Sequence, residues 1–99
     1  MEQVCEIRWT NTAANEFEAT IDWLLFRFND KVAASFRDDV WQKVDRLSKT
    51  PFIGKTSPYL ENCRQTIVPP YHLIIYKVFG NHIDILRVFD GRQNLSKLR

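Results

Sequence analysis

An α+β fold is predicted, a two-layer sandwich of order β-αα-βββ in which an antiparallel helix hairpin packs on one face of a mainly antiparallel sheet. Three observations predict it. Residues 5–9 alternate with period two, residues 14–28 and 33–47 carry apolar side chains at three- and four-residue steps, and residues 63–89 hold three β-branched and aromatic runs separated by turn residues. A chain of 99 residues, set against about 150 per domain, is expected to form one domain spanning residues 1–99. No internal repeat is visible.

The first element places Cys5, Ile7 and Trp9 on one face and Glu6 and Arg8 on the other, so it reads as a half-buried strand with Trp9 in the core. Thr10-Asn11-Thr12 stops it and offers N-cap oxygens to a helix from about residue 12 to 28, whose apolar stripe is Ala14, Phe17, Ile21, Leu24, Leu25 and Phe28. Glu16 is expected near the positive end of that helix. Asn29-Asp30 caps a second helix running to about Ser48, with Ala33, Phe36, Val40, Val44 and Leu47 on one face. So short a break forces the helices into an antiparallel hairpin, whose joint apolar stripe the rest of the chain must cover.

Thr50-Pro51 ends the second helix, and Gly54 punctuates a loop reaching to about Tyr59. Three strand runs come next, Cys63 to Val68, Tyr71 to Phe79 and Ile83 to Phe89, forming a meander. Gly80-Asn81 supplies a tight hairpin turn, and Pro69-Pro70, unable to donate to a ladder, marks the turn before it.

Composition excludes several classes of function. The chain is 44% hydrophobic and 26% charged with only 3 Gly and 4 Pro, which is the make-up of a globular domain and not of a linker or a disordered tail. No apolar run approaches the roughly 20 residues of a membrane helix, and the acidic start Met1-Glu2-Gln3 is unlike a secretory signal, so a cytoplasmic location and no membrane partner are expected. Cys5 and Cys63 are too few for a disulfide framework and too far apart for a CxxC pair. They read as buried thiols, and neither a metal nor another cofactor is expected. Residues 1–50 hold 7 basic and 9 acidic side chains while residues 51–99 hold 7 and 3, so the C-terminal half presents the positive field that an anionic partner would meet.

Four words, in their order and spacing, resemble the RelE/ParE superfamily of bacterial type II toxins. They are Pro51-Phe52-Ile53-Gly54, Cys63-Arg64, Tyr71-His72-Leu73-Ile74-Ile75-Tyr76, and the stretch from Ile83 to Asn94 that includes Arg87, Asp90, Gly91 and Arg92. The resemblance covers nearly the whole chain. It implies a small growth-inhibiting toxin of the kind linked to plasmid stabilisation, paired with an antitoxin that wraps and neutralises it. It also implies one of two targets: ParE-like members inhibit DNA gyrase without cutting anything, whereas RelE-like members cut messenger RNA in the ribosome without a metal.

On the RelE-like branch the resemblance implies catalytic roles for Arg64, His72 and Arg92. Arg64 matches basic residues that hold the RNA backbone, and Arg92 matches an arginine that stabilises the transition state, where a guanidinium fork suits phosphate oxygens. Each also reads as an exposed surface arginine. His72 stands where that branch carries another arginine, and an imidazole there suits proton transfer near neutral pH or serves simply as an exposed or hydrogen-bonded strand histidine. His82 reads as a plain loop residue. The branch often places a Tyr or His in a C-terminal helix or tail, and Asn94 to Arg99 contains neither. Only Asp90 and Glu61 remain as other proton donors on the basic half, and an aspartate ordinarily titrates near 3.9, too acidic for this work unless buried.

Partner contacts are expected from Trp23 and Trp41, one residue off the main helical stripes and placed to edge a groove for an antitoxin segment, unless the two simply form the periphery of the core. Arg87 joins them, or else pairs with Asp84 or Asp90. The incomplete catalytic set favours a ParE-like inhibitor acting on an essential target such as DNA gyrase. The alternative is a RelE-like ribosome-dependent mRNA endoribonuclease, and the second alternative is a non-enzymatic nucleic-acid-binding module, which lacks RNP words and a GXXG loop.

Overall fold

The computed structural model describes residues 4–92. Its elements are β1 (Glu6–Trp9), α1 (Asn11–Arg27), α2 (Asp30–Lys49), β2 (Lys55–Thr56), β3 (Arg64–Val68), β4 (His72–Phe79) and β5 (His82–Asp90). One five-stranded sheet has the order β1-β5-β4-β3-β2. Strands β2 to β5 pair antiparallel, and β1 lies parallel to β5, with Glu6 opposite His82 and Trp9 opposite Ile85. The helix hairpin packs on one face of this sheet, as the two apolar stripes require.

Both helices begin on the caps the sequence offers. The Thr10 hydroxyl accepts from the Ala13 N–H at 3.1 Å, and the Asn29 side chain accepts from the Val32 N–H at 3.0 Å. All five expected stripe residues of α2 are buried. On α1 the buried line is Ala13 and Leu24 with Phe17 and Ile21 packed beside them, while Leu25 and Phe28 are 43% and 56% exposed. The expected stripe of α1 therefore stands one step too far round the helix at its C-terminal end, because positions 13, 17, 21 and 24 already fill the face turned to α2 and β5.

The main core joins α2 residues Phe36, Val40, Val44 and Leu47 to Ile74, Tyr76, Ile83, Ile85 and Val88 of the sheet. Trp9 packs against it, half-buried. A smaller core on the opposite face holds Cys63, Ile75 and Phe89 under Tyr59, Leu60 and Leu86. Burial pushes the Cys63 thiol pKa up, against a weaker opposing pull from Lys77. Cys5 is half-buried, and both thiols are free.

Two features depart from the expected meander. Lys55–Thr56, expected as loop, pairs with Gln65 and Arg64 as a two-residue strand too short to carry any periodicity. Between Ile75 and Tyr76 the β4–β5 register shifts, so that Tyr76 faces Ile85 and Leu86 becomes the extra residue of a bulge. Gly80 turns the hairpin at φ 49°, a left-handed conformation that glycine adopts without cost. Among the described residues no helix is long and apolar enough to cross a membrane.

Phe36 of α2 packs its ring 4.7 Å from that of His72 on β4 and is only 8% exposed. Truncating it in Phe36→Ala is expected to cost about 3 to 5 kcal/mol in denaturant unfolding. A loss below about 1 kcal/mol would show that α2 does not bury this face.

Candidate functional site

Strand β5 outruns its neighbour β1. The parallel pairing stops at Trp9 opposite Ile85, yet β5 continues to Asp90, so its outer edge needs other partners. Thr10 supplies the first: its N–H donates to the Ile85 carbonyl, and its hydroxyl donates to the carbonyls of Ile85 and Leu86, all at 3.1 Å. Glu16 supplies the second. Its Oε1 accepts from the Val88 N–H at 3.1 Å and from Arg87 Nε at 2.9 Å, and its Oε2 accepts from Arg87 Nη2 at 2.7 Å.

Arg87 is thereby bound to Glu16, which replaces the pairing with Asp84 or Asp90 expected from sequence. The Glu16 hydrogen bond, rather than its charge alone, raises the Arg87 pKa above the ordinary arginine value. Glu16 itself lies beyond the first turn of α1, which holds no acid. Its role is this bidentate contact with β5 and not the helix dipole.

At the far end of the strands, four side chains converge. The Gly91 N–H donates to the Tyr71 carbonyl at 2.8 Å, an approach so close that a Cβ on Gly91 would sit 2.7 Å from that oxygen. The chain then folds back. Arg92 donates to Asp90 Oδ1 through its N–H at 2.9 Å and Nε at 3.1 Å, and to Oδ2 through Nη2 at 2.9 Å. Its guanidinium lies 3.6 Å from the centre of the Tyr71 ring. The Arg92 hydrogen bonds hold the Asp90 carboxyl below the usual carboxylate range.

His72 is the third expected site residue, and the structure buries it to 6% exposure. Its ring packs against Phe36 at 4.7 Å and Tyr71 at 5.0 Å. Nδ1 has no hydrogen-bond partner among the described residues, so this histidine is neither exposed nor hydrogen-bonded through that nitrogen. Desolvation lowers its pKa below 6.5, with Asp90 opposing the shift and Arg92 reinforcing it. Two open depressions border His72, one lined also by Trp23 and Asp90 and the other by Phe28, Phe36 and Tyr71.

Arg64 stands apart from this group. It pairs with Tyr76 while His72 pairs with Val68 four residues further along β3, which places the two about 13 Å apart along the sheet. Its Nη1 donates to the carbonyls of Gly54 at 2.7 Å and Phe52 at 3.4 Å, and its guanidinium lies 5.0 Å from the Phe52 ring centre. The structure therefore brings His72 and Arg92 together and leaves Arg64 fastened to the loop after α2.

The two tryptophans also part company. Trp23, 45% exposed, meets the Phe28 ring edge-on and walls the depression beside His72. Trp41, 50% exposed, packs against Trp9 and Phe17. His82 stacks on Phe79 at 5.0 Å with Nε2 3.6 Å from Asp84.

Glu16 and Tyr76 have structural work that no local sequence pattern announces. The Tyr76 hydroxyl donates to the Pro51 carbonyl at 2.8 Å and accepts from the Gly54 N–H at 3.0 Å, so it pins the loop that Arg64 also holds. Neither residue carries a spacing signal, because both partners lie far away in sequence. The tail from Asn94 to Arg99, which contains neither Tyr nor His, lies outside the described residues. Among the described residues no three His, Cys, Asp or Glu side chains gather as metal ligands.

The family model for the ParE toxin of the type II toxin–antitoxin system, parDE, matches residues 7–95. No curated protein matches the chain in sequence. Among solved structures the chain is similar to one from the chromosomal ParDE TA system of P. aeruginosa, with 21% identity, a TM-score of 0.75, and coverage of 88% of this chain and 96% of that one. It is also similar to a YoeB/ParE toxin from Agrobacterium tumefaciens, at 13% identity and TM-score 0.62 over 86% and 96% of the two chains. A third likeness is to a chain of the E. coli DinJ-YafQ toxin-antitoxin complex, at 13% identity and TM-score 0.52 over 87% and 91%. At these identities the likeness lies in the fold.

The buried His72 gives the protein a predictable pH response. A histidine whose folded pKa is depressed contributes stability that is complete above 6.5 and is lost as pH falls toward the folded value, because only the unfolded chain binds the proton in that interval. Stability should therefore decline on acidification below pH 6.5, before the loss that protonation of Asp90 adds at still lower pH. Denaturant unfolding across this range should show the decline in the wild type and a flatter profile in His72→Phe. Equal slopes in both proteins would show that His72 is not held neutral by burial.

Proposed function

The chain belongs to the ParE toxin family of type II toxin–antitoxin systems, and from that premise we propose that it arrests growth by binding DNA gyrase, with a cognate antitoxin as its neutralising partner. The observation that carries this reading is the separation of Arg64 from the His72–Arg92 pair. Metal-free RNA cleavage needs a proton acceptor, a proton donor and cations within hydrogen-bond reach of one phosphate. Here Arg64 is committed to two loop carbonyls about 13 Å along the sheet from His72. The imidazole is packed between two rings, and Asp90, held ionised by Arg92, is a poor acid. Such a surface suits contact with a protein better than bond cleavage.

One observation favours the second reading, a RelE-like ribonuclease. Arg92, half-exposed and stacked on Tyr71, binds Asp90 through Nε and Nη2 and leaves Nη1 unengaged among the described residues, while His72 lies nearby. That arrangement offers one cation and one imidazole to a phosphate.

The two readings part in two assays. The wild-type protein should block supercoiling by purified gyrase and leave ribosome-bound mRNA uncut in a translating extract. Efficient codon-dependent cleavage that Arg92→Ala reduces by about a hundredfold, as the loss of one transition-state donor would, overturns the proposal and places the chain on the ribonuclease branch.

A further inference from the structure

Three open grooves join end to end along the side of α2 that faces the β3 edge. The first is apolar, walled by Leu24, Phe28, Val32 and Phe36 against the Pro69-Pro70 turn. Asp39 and Pro69 are shared with the second, which adds Gln42, Lys43 and Arg46. Lys43 is shared with the third, which runs past Lys55 to Thr66 and Ile67 of β3. From Val32 to Arg46 the helix rises about 21 Å, the length of six or seven residues of extended chain.

The trough changes character along its length. At the Phe28 end the exposed surface is apolar, with Phe28 at 56% and Val32 at 38% exposure. At the Lys55 end it is cationic, and Lys43, Arg46 and Lys55 make no ion pair among the described residues. Between them lies a gap in the sheet. Register alternation turns the backbone groups of Gln65 and Ile67 away from β4, and β2 pairs only as far as Gln65. Among the described residues, the N–H and C=O of Ile67 therefore have no strand opposite them.

From the polarity of this trough and the unfilled edge at Ile67, we infer that it takes one extended segment of a partner protein, apolar at its N-terminal end and acidic at its C-terminal end. Charge fixes which end is acidic. Direction comes from the edge: in an antiparallel pair one residue exchanges both its N–H and its C=O with one partner residue, so a segment antiparallel to β3 satisfies Ile67 with a single contact. Such a segment runs from the Pro69 end toward Lys55 in line with β2, itself antiparallel to β3. The prolines at 69 and 70 limit the pairing to this one position. Naming the antitoxin as the source of the segment rests on the toxin reading; the chemistry of the trough does not.

The test uses the full chain and synthetic probes. The first probe is the capped octapeptide Leu-Phe-Val-Leu-Glu-Asp-Glu-Glu, the second carries Lys in place of every acid, and the third is a single-stranded RNA octamer. The acidic peptide should bind at least tenfold more tightly than the lysine peptide and shift the backbone amide of Ile67 in a 15N-resolved spectrum. The double variant Lys43→Glu with Arg46→Glu, at a half-buried and an exposed position of α2, should keep its spectrum dispersed and lose at least tenfold in affinity for the acidic peptide. Equal binding of both peptides, an unmoved Ile67 amide, or tighter binding of the RNA at the same residues would each overturn the inference. Growth arrest on expression tests the toxin reading separately, so a failed peptide titration leaves that reading intact, and a failed arrest leaves the trough chemistry intact.

Discussion

The carboxylate of Glu16 on the outer edge of β5 is the contact on which the site end of the molecule depends. Strand β1 covers β5 only as far as Ile85, and beyond it the backbone of β5 needs donors and acceptors from elsewhere. Water would serve at an open edge, but α1 lies there. Glu16 instead accepts the Val88 N–H and grips Arg87 at two points, so one side chain both completes the ladder and fixes α1 against the sheet. Hydrogen bonds to charged groups contribute about 1.5 to 3 kcal/mol each, against a desolvation cost that offsets much of the ion-pair attraction. The net effect is thus less a gain in stability than a choice of register, since no other residue of α1 meets the Val88 N–H.

The turn beyond β5 inherits that register. Two residues past Val88, Asp90 begins the turn that brings Arg92 over Tyr71, and Gly91 permits the close approach to the Tyr71 carbonyl. His72 lies beneath, pressed on one side by Phe36 of α2. The cluster is therefore a junction of both helices with the β4–β5 end of the sheet. Arg64 belongs to a different junction, where Tyr76 and Arg64 together hold the loop from Pro51 to Gly54.

The legible part of this architecture is the part written in local periodicity. Helix α2 is read correctly because its five apolar residues recur at three- and four-residue steps and all five are buried. Its caps and the Gly80 turn are equally local. Sequence alone does not show that β1 sits beside β5, that Lys55–Thr56 pairs with β3, or that Leu25 and Phe28 stay exposed, because each depends on which surface lies opposite. The site obeys the same division. That Arg64, His72 and Arg92 are chemically capable is evident from residue type, but their separation along β3 and β4 is a matter of register, and Glu16 acts across 71 residues of sequence. No motif spans that distance.

The claim that Glu16 holds the free edge of β5 is tested most directly by amide hydrogen exchange at Val88, compared between the wild type and Glu16→Ala. The Val88 amide should be as slow as its ladder neighbours in the wild type and at least tenfold faster in the variant, while the Ile83 amide, in the part of β5 that β1 covers, keeps its protection. Unchanged exchange at Val88 in a folded Glu16→Ala protein would contradict the claim, and would mean that the β5 edge is held by something other than this carboxylate.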